Sequence, residues 1–521
     1  MKSLFLSSSA VAAALVLTAC STPVPQKLTP PYVPSNFTAP VSQNAPTWPQ
    51  ADWWKGFGSD ELNGLVATAE KDNLDLAQAM AEVLQAQANA EIAGSALFPQ
   101  FDLSGGAQRQ GTPRGSSITG KSVTSNSFNL GVDGSWALDI WGEAQDNLRA
   151  ADETLKSSKF AQEGVMLTVT SGVGTTYFDV LALRERVSIA EANIAAAKRI
   201  LSITEAKVTN GVSSRLDLAQ QQAQVAGQEA QIPPLQEQER EARYALAILL
   251  GKLPEGFDVT AQNLDAVTAP AVRPGLPSEL LRRRPDVAEA EANLASAHAD
   301  VDAARAAFFP QIGLTGSGGV VSATIGSLIK SSNFAWSIGG SLLQTIFDGG
   351  RLQGEFRVSK ARQKQLIAAY RKAVLSAFSD VETALGQVSA TAQQEKLLTD
   401  EVTAASEAFR ISEIQYREGV TDLLTVLTAQ QTLFTAQDQL VQVKLAHIQA
   451  DVNLYRALGG GWSEADEDAT QSLPAQTTQV APSTEPGPDT MQPAPIPTTP
   501  GPSALPDEPL PPASPTRPPR G

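Results

Sequence analysis

Two hydrophobic periods take turns along this chain. From Phe128 the apolar positions fall on every second residue. Phe128, Leu130, Val132, Trp136, Leu138 and Ile140 alternate with Ser127, Asn129, Gly131, Asp133, Ser135 and Asp139. The alternation returns with Phe334, Trp336, Ile338, Leu342 and Ile346, opposite Ser337, Gly339, Ser341 and Thr345. Shorter versions precede both: Phe101 and Leu103 against Asp102 and Ser104, then Ile312 and Leu314 against Gly313 and Thr315. A period of two sends side chains to opposite faces of a strand, so four strands are predicted. The stretches GTPRGSSITGKSVTSN and VSATIGSLIKSSN read as the hairpin loops between them.

Elsewhere the period is helical. Leu427, Phe434, Val441, Ile448 and Tyr455 are seven apart, as are Val426, Leu433, Leu440, His447 and Leu454. Ala429, Ala436, Val443, Ala450 and Ala457 form a third row of mostly small residues. Sevenfold rows this long specify left-handed coiled-coil packing, and the alanines let helices approach closely. No proline occurs between Arg114 and Ile232 or between Gln311 and Leu473. Residues 350–417 are continuously helix-compatible, which at 1.5 Å per residue is ~100 Å of helix.

The chain writes this plan twice. AGSALFPQFDLSGGAQ at 93–108 is echoed by ARAAFFPQIGLTGSGG at 304–319, with Pro310 lying 211 residues after Pro99. Gly419-Val420 follows Gly211-Val212 by 208 residues, and Gly459 follows Gly251 by the same step. Each copy reads helix, two strands, very long helix, turn, helix. A period this long is no solenoid repeat; it is a tandem duplication giving a pseudo-twofold protomer.

The strand faces opposite the apolar ones carry Gly, Ser, Thr and Asp, which fill no core and suit a water-filled lumen. Four strands cannot close a barrel, and lipid does not tolerate an open sheet edge. A dimer would supply eight strands, with an interior filled by side chains. A trimer supplies twelve and leaves a channel. The small inward residues favour the trimer.

The N-terminus adds an address. MKSLFLSSSAVAAALVLTAC has a basic start, an apolar stretch and small residues before Cys20, the pattern of a signal peptide. Leu17-Thr18-Ala19-Cys20 resembles a bacterial lipobox, whose cysteine is lipidated. Cys20 is the only cysteine in the chain, so disulfides are excluded. Ser21 follows it rather than the Asp associated with inner-membrane retention, which points to the outer membrane. Beyond the signal no stretch reads as ~20 apolar residues long enough to span a bilayer. The net charge of −16 argues against nucleic acid as a partner. Residues 463–521, rich in Pro, Ser and Thr, read as a disordered tail.

The segments GLPSELLRRRPDVAEAEANL (275–294), ARAAFFPQIGLTG, YREGVTDLLTVLTAQQTLFTAQ, VNLYRALGGGW (452–462) and WWKGFGSDELNGLV together resemble the TolC/OprM-like outer membrane factors, in particular NodT-type efflux lipoproteins. The resemblance runs from Cys20 to Trp462. It implies a homotrimer: a 12-stranded outer-membrane β-barrel with four strands per protomer, continued by a periplasmic coiled-coil barrel of α-helices with an equatorial collar. It further implies a periplasmic adaptor protein and an inner-membrane RND pump as partners, outer membrane lipid around the barrel, and no cofactor. On this reading residues 1–19 are signal peptide, 20–60 the lipidated segment and part of the collar, and 61–260 the first repeat. Residues 261–280 link it to the second repeat at 281–462. Pro233-Pro234 breaks a helix whose second-copy counterpart is unbroken, and the break is expected near the collar. LLRRRPD reads as an ordinary helix start with Pro285 in its first turn.

The turns at Gly211-Val212 and Gly419-Val420 are the expected periplasmic tips, where helix pairs meet around the axis and an adaptor makes contact. The family often carries Asp in the helix just after the second turn. This chain has Thr425 and Thr428 there, leaving Asp422, with Asp217 in the first copy, as the gate carboxylates. Arg215 and Arg417 are expected to bridge them across helices. The competing reading makes both acids ordinary first-turn residues. Neither His298 nor His447 falls in a catalytic motif, and nucleophile elbow, P-loop, dinucleotide fingerprint and zinc-ligand cluster are all missing from the sequence. Two alternatives stand beside an efflux duct: an exit duct of a type I protein secretion system, and a coiled-coil stalk lipoprotein. The lipobox and the RRRPD segment favour efflux.

Overall fold

The computed structural model describes residues 34, 36–38, 47–113, 122–268, 270 and 272–463. The signal peptide, Cys20, most of the first hairpin loop and the Pro-rich tail lie outside the described residues.

A 3-10 turn at Trp53–Phe57 leads into α1 (Asp60–Asp72) and α2 (Leu74–Ser95). Ser59 caps α1 by accepting from the Leu62 N–H at 3.1 Å. Asn73 caps α2 by accepting from Asp75 and Leu76 at 2.8 and 3.0 Å. After α2 a turn through Phe98 meets Pro99, which cannot continue a helix, and β1 (Gln100–Thr112) begins. β2 (Val123–Leu138) returns antiparallel. Then α3 runs from Glu143 to Thr209, 67 residues, followed by α4 (Arg215–Glu229) and α5 (Ile232–Leu249).

The second copy repeats this. α6 (Pro277–Leu280) and α7 (Pro285–Ala306) precede β3 (Gln311–Ser322) and β4 (Phe334–Leu343). α8 (Arg351–Arg417) is again 67 residues, and α9 (Leu423–Ala457) is unbroken. Both long helices start behind a glycine in the left-handed region, Gly142 at φ 84° and Gly350 at φ 91°. That conformation costs a residue with a Cβ. The helix-compatible stretch from 350 therefore starts one residue early, because Gly350 is the cap and not part of the helix.

The four strands form one antiparallel sheet in the order β1-β2-β3-β4, so the two copies join through β2 and β3. Ile140 lies outside β2, because the chain turns at Leu138 toward α3, with the Ile140 N–H donating to the Leu138 carbonyl at 3.0 Å. Ile346 lies outside β4, which ends at Leu343 opposite the first residue of β3. The hairpin loops are shorter than expected: Gly111, Thr124, Val321 and Ser322 all belong to strands.

Helices α2, α3, α7 and α8 pack side by side in that order beneath the sheet. One window of α3 is long and apolar enough to span a membrane, against the expectation that no such stretch follows the signal, but over half of it is buried inside the chain. Its Val169, Val173, Phe178 and Leu181 belong to the main core. There Trp53 stacks on Tyr455 at 5.2 Å and Phe57 meets Phe178 at 5.2 Å. The last helix of each copy ends at this core behind a left-handed glycine. A Cβ on Gly251 would lie 2.2 Å from the Asp72 carbonyl oxygen, and one on Gly459 only 1.7 Å from that of Arg283. LLRRRPD is thus structural. Arg284 precedes α7 and holds Asp286 at 2.7 Å, Asp380 at 3.0 Å and the Ala457 carbonyl at 3.3 Å. The α4–α5 break falls at Ala230-Gln231, with the prolines in the first turn of α5. One turn further on, Glu239 pairs with Arg184, which also donates to the Val259 and Ala261 carbonyls of the inter-repeat loop.

Candidate functional site

The strand register sorts the sheet into two faces. Directly paired residues share a face, so Leu103, Val132, Gly318 and Trp336 form one cross-sheet row, and Leu130, Val320 and Phe334 belong to another on the same face. With Phe101, Trp136, Leu314, Ile338 and Leu342 they make this face apolar, and it is uncovered: Ile338 is 80 % exposed and Trp336 69 %. The opposite face carries Asp102, Ser104, Asn129, Asp133, Thr315 and Ser337. Its groups bond one another, Ser104 Oγ to Asp133 at 2.7 Å and Ser317 Oγ to Ser337 Oγ at 2.9 Å.

Burying the polar face against a core would leave these groups few partners, and exposing the apolar face to water is unfavourable. Both faces are satisfied when lipid lies outside and water inside. The apolar run from Phe128 to Leu138 spans ~34 Å along the strand, or ~26 Å at a ~40° tilt, close to the ~25 Å band of outer-membrane barrels. At its helix end Trp141 stacks on Phe309 at 4.9 Å and donates to the Pro310 carbonyl at 2.7 Å. Trp136 donates to the Leu97 carbonyl at 3.2 Å. An aromatic belt of this kind suits the membrane–water boundary.

The other end of the helices carries the gate candidates. Gly211 and Gly419 make the tip turns at φ 73° and 79°, with Val212 and Val420 exposed beside them. The N-caps of α4 and α9 are Ser214 and Asp422, at equivalent positions of the two copies. Their third residues are Asp217 and Thr425. Acid and hydroxyl are interchanged between the two copies, and only α4 closes a reciprocal capping box, because at α9 the Thr425 hydroxyl donates to the Asp422 carboxylate rather than accepting from its N–H. Ser214 Oγ accepts from the Asp217 N–H at 3.1 Å, and Asp217 accepts from the Ser214 N–H at 2.9 Å and from Ser213 Oγ at 2.6 Å. Asp422 accepts from the Thr425 N–H at 2.8 Å and from Thr425 Oγ1 at 2.7 Å.

These bonds hold both carboxyls below the usual range. The Thr425 hydroxyl is the main cause for Asp422, partly opposed by the nearby charge of Asp217, and the Ser213 hydroxyl is the main cause for Asp217. The expected arginine bridge is not formed within the chain. Arg417 pairs with the adjacent Glu418 at 3.4 Å, and among the described residues Arg215 has no ion-pair partner. Both carboxyls are occupied by nearer backbone and hydroxyl donors. Thr428 Oγ1 donates to the Leu424 carbonyl of its own helix at 2.9 Å.

Two clusters went unseen in the sequence. At the tip, Lys207 sits 4.4 Å over the Tyr416 ring and donates to the Tyr416 carbonyl, while the Tyr416 hydroxyl lies 3.0 Å from Thr204 Oγ1. This ties the end of α3 to the end of α8. Between α8 and α9, His447 is no passive member of its apolar row. Its Nδ1 lies 2.7 Å from Glu395 and its Nε2 3.8 Å from Asp451. Burial pushes the Asp451 carboxyl up to about 6, against the pull of His447. His298 Nδ1 lies 2.8 Å from the Gln363 amide. Among the described residues no group of three or more metal-ligating side chains converges.

Residues 65–252 and 276–460 match the family model described as outer membrane efflux protein. The chain is 41 % identical over 466 residues to the pyoverdine export outer membrane protein OpmQ of Pseudomonas aeruginosa, covering 87 % of this chain and 96 % of that protein. It is 32 % identical over 460 residues to the antibiotic efflux pump outer membrane protein ArpC of Pseudomonas putida, covering 85 % and 95 %. In structure it is similar to the outer-membrane channel OprN, with a TM-score of 0.79 at 29 % identity over 84 % of this chain and 99 % of that one.

Proposed function

The chain belongs to the outer membrane efflux protein family, and we propose that it is the exit duct of a tripartite RND-type system, conducting small toxic compounds passively from an inner-membrane pump and a periplasmic adaptor to the exterior. Its fold is that of the outer-membrane channels it resembles, its place is the outer membrane of a Gram-negative bacterium, and its work is efflux. The observation that carries the duct is the sheet, apolar and uncovered on one face, polar on the other, with two free edges. Three copies close those edges into twelve strands around an open lumen.

The chain acts as a conduit and not as an enzyme, so the driving energy belongs to the partners. Lipidation of Cys20 adds a second hold on the membrane beside the barrel. The exposed tips around Val212 and Val420 suit an adaptor, whose contacts splay the hairpins. Small-molecule cargo is favoured over polypeptides because the matched relatives are named for pyoverdine export and antibiotic efflux.

Deleting the gene tests the reading. Susceptibility to a panel of toxic small molecules should rise and return to normal on complementation, while secreted polypeptides stay unchanged. Lost polypeptide secretion with unaltered susceptibility would replace the efflux reading with a secretion duct. Cys20→Ala should leave insertion intact and remove the lipid from the mature N-terminus, read by mass spectrometry.

A further inference from the structure

The duplication fixes more than the kind of assembly. Positions in β2 and α3 correspond to β4 and α8 at a step of 208 residues, and positions in β3 and α7 to β1 and α2 at a step of 211. The hairpins verify this, since Gln100↔Ser135 in the first becomes Gln311↔Leu343 in the second. One contact inside the chain, β2–α3 of the first copy against β3–α7 of the second, has no counterpart inside the chain. Its equivalent would join β4–α8 of one molecule to β1–α2 of the next.

We infer that neighbouring copies meet in the register of that internal contact, with Ser337 opposite Gln110 of the next molecule and Arg357 ion-paired to its Glu91. This rests on the trimer proposed above and specifies its interface. Asn129↔Val321 translates to Ser337↔Gln110, and Leu138↔Ile312 to Ile346↔Phe101. The translated pairs keep parity, so the apolar face runs on across the join. They also extend β4 to Ile346, where the alternating pattern of the sequence places its end.

The helices agree independently. Inside the chain Arg149 lies 4.0 Å from Asp302, and Ser296 Oγ donates to the Ala150 carbonyl at 2.9 Å. Translated, Arg149 and Asp302 become Arg357 and Glu91, again a cation and a carboxylate. Among the described residues Arg357 has no carboxylate partner, and Glu91 accepts only from Gln87, at 3.4 Å. Burial follows the same map. Val358 is 69 % exposed where its equivalent Ala150 is 7 %, and Ile92 is 68 % exposed where Ala303 is 6 %. Both are apolar residues awaiting the cover their counterparts already have.

Cysteine pairs in the full-length, detergent-extracted protein test the register, because a disulfide forms only at Cα separations near 4.4–6.8 Å. Ser337→Cys with Gln110→Cys should give covalent trimers on non-reducing gels, reversed by reductant. Ser337→Cys with Gln108→Cys should give far fewer, and each single variant reports any linkage to Cys20. Preferential linkage of the second pair would overturn the register. So would failure of both pairs while native mass still gives three chains. A native mass of one chain would instead sink the trimer reading itself, and this inference with it. Separately, Arg357→Glu and Glu91→Arg should each lower the temperature at which trimers dissociate, and the double variant should recover most of the loss. A double variant worse than either single one would remove the ion pair.

Discussion

Asp422 can serve as a cap, as a gate charge, or as both, and substitutions separate the roles. Asn is as good an N-cap as Asp but carries no charge, whereas Ala loses both. If the charge attracts cations into the constriction, Asp422→Asn should lower cation selectivity in planar bilayers with the trimer intact. If only the cap matters, Asn should match wild type and Ala alone should change conductance. Because its folded pKa is lowered, the cap's contribution is present above the ordinary carboxylate range and lost as pH falls through the folded value. The charged cap is therefore fully formed at neutral pH. Asp451 has the opposite sign. Its pKa rises from 3.8 to about 6, so the folded state holds a proton the unfolded state has released, and stability falls as pH climbs through that window. Asp451→Asn should raise the melting temperature at pH 7 and flatten its dependence between pH 4 and 6. An unchanged profile would mean that burial does not hold a proton on Asp451. The sevenfold row contains His447, but its partner Glu395 lies 52 residues away, and no local pattern joins them.

Elements were the most legible level, because each boundary is marked by a residue with a backbone reason. Pro99 and Pro310 end helices, Gly142 and Gly350 begin them, and Gly211 and Gly419 turn the tips. What escaped was set by pairing partners. β4 stops at Leu343 within one chain because β3 offers nothing beyond Gln311, although the alternation continues to Ile346. The glycines ending α5 and α9 show how strictly an element end can be held. Gly459→Ala would combine a left-handed backbone with a Cβ 1.7 Å from the Arg283 carbonyl oxygen. We expect a loss of at least ~2 kcal/mol from strain alone, read as a lower melting temperature and reduced trimer yield. Gly211→Ala meets open space at the tip and should show the smaller, purely conformational cost.

For the whole molecule, the sheet decides what surrounds the protein, and its two faces make opposite predictions. Ile338 sits on the apolar face between Phe334 and Leu342, and Ser337 is its neighbour on the polar face. An arginine facing lipid near the bilayer midplane costs a barrel roughly 2–4 kcal/mol, whereas one in a water-filled lumen keeps its hydration. Ile338→Arg should therefore reduce the heat-resistant trimer recovered from outer membranes. Ser337→Arg should leave recovery unchanged, and three such cations around one lumen should lower the conductance and cation selectivity of the reconstituted channel. A half-buried soluble sheet would also lose stability from an arginine at Ile338, but with its polar face already solvated an arginine at Ser337 would be silent in every readout. The inward substitution is the decisive arm: a change in conductance with normal assembly requires that Ser337 line a continuous aqueous path, which four strands with free edges cannot enclose alone.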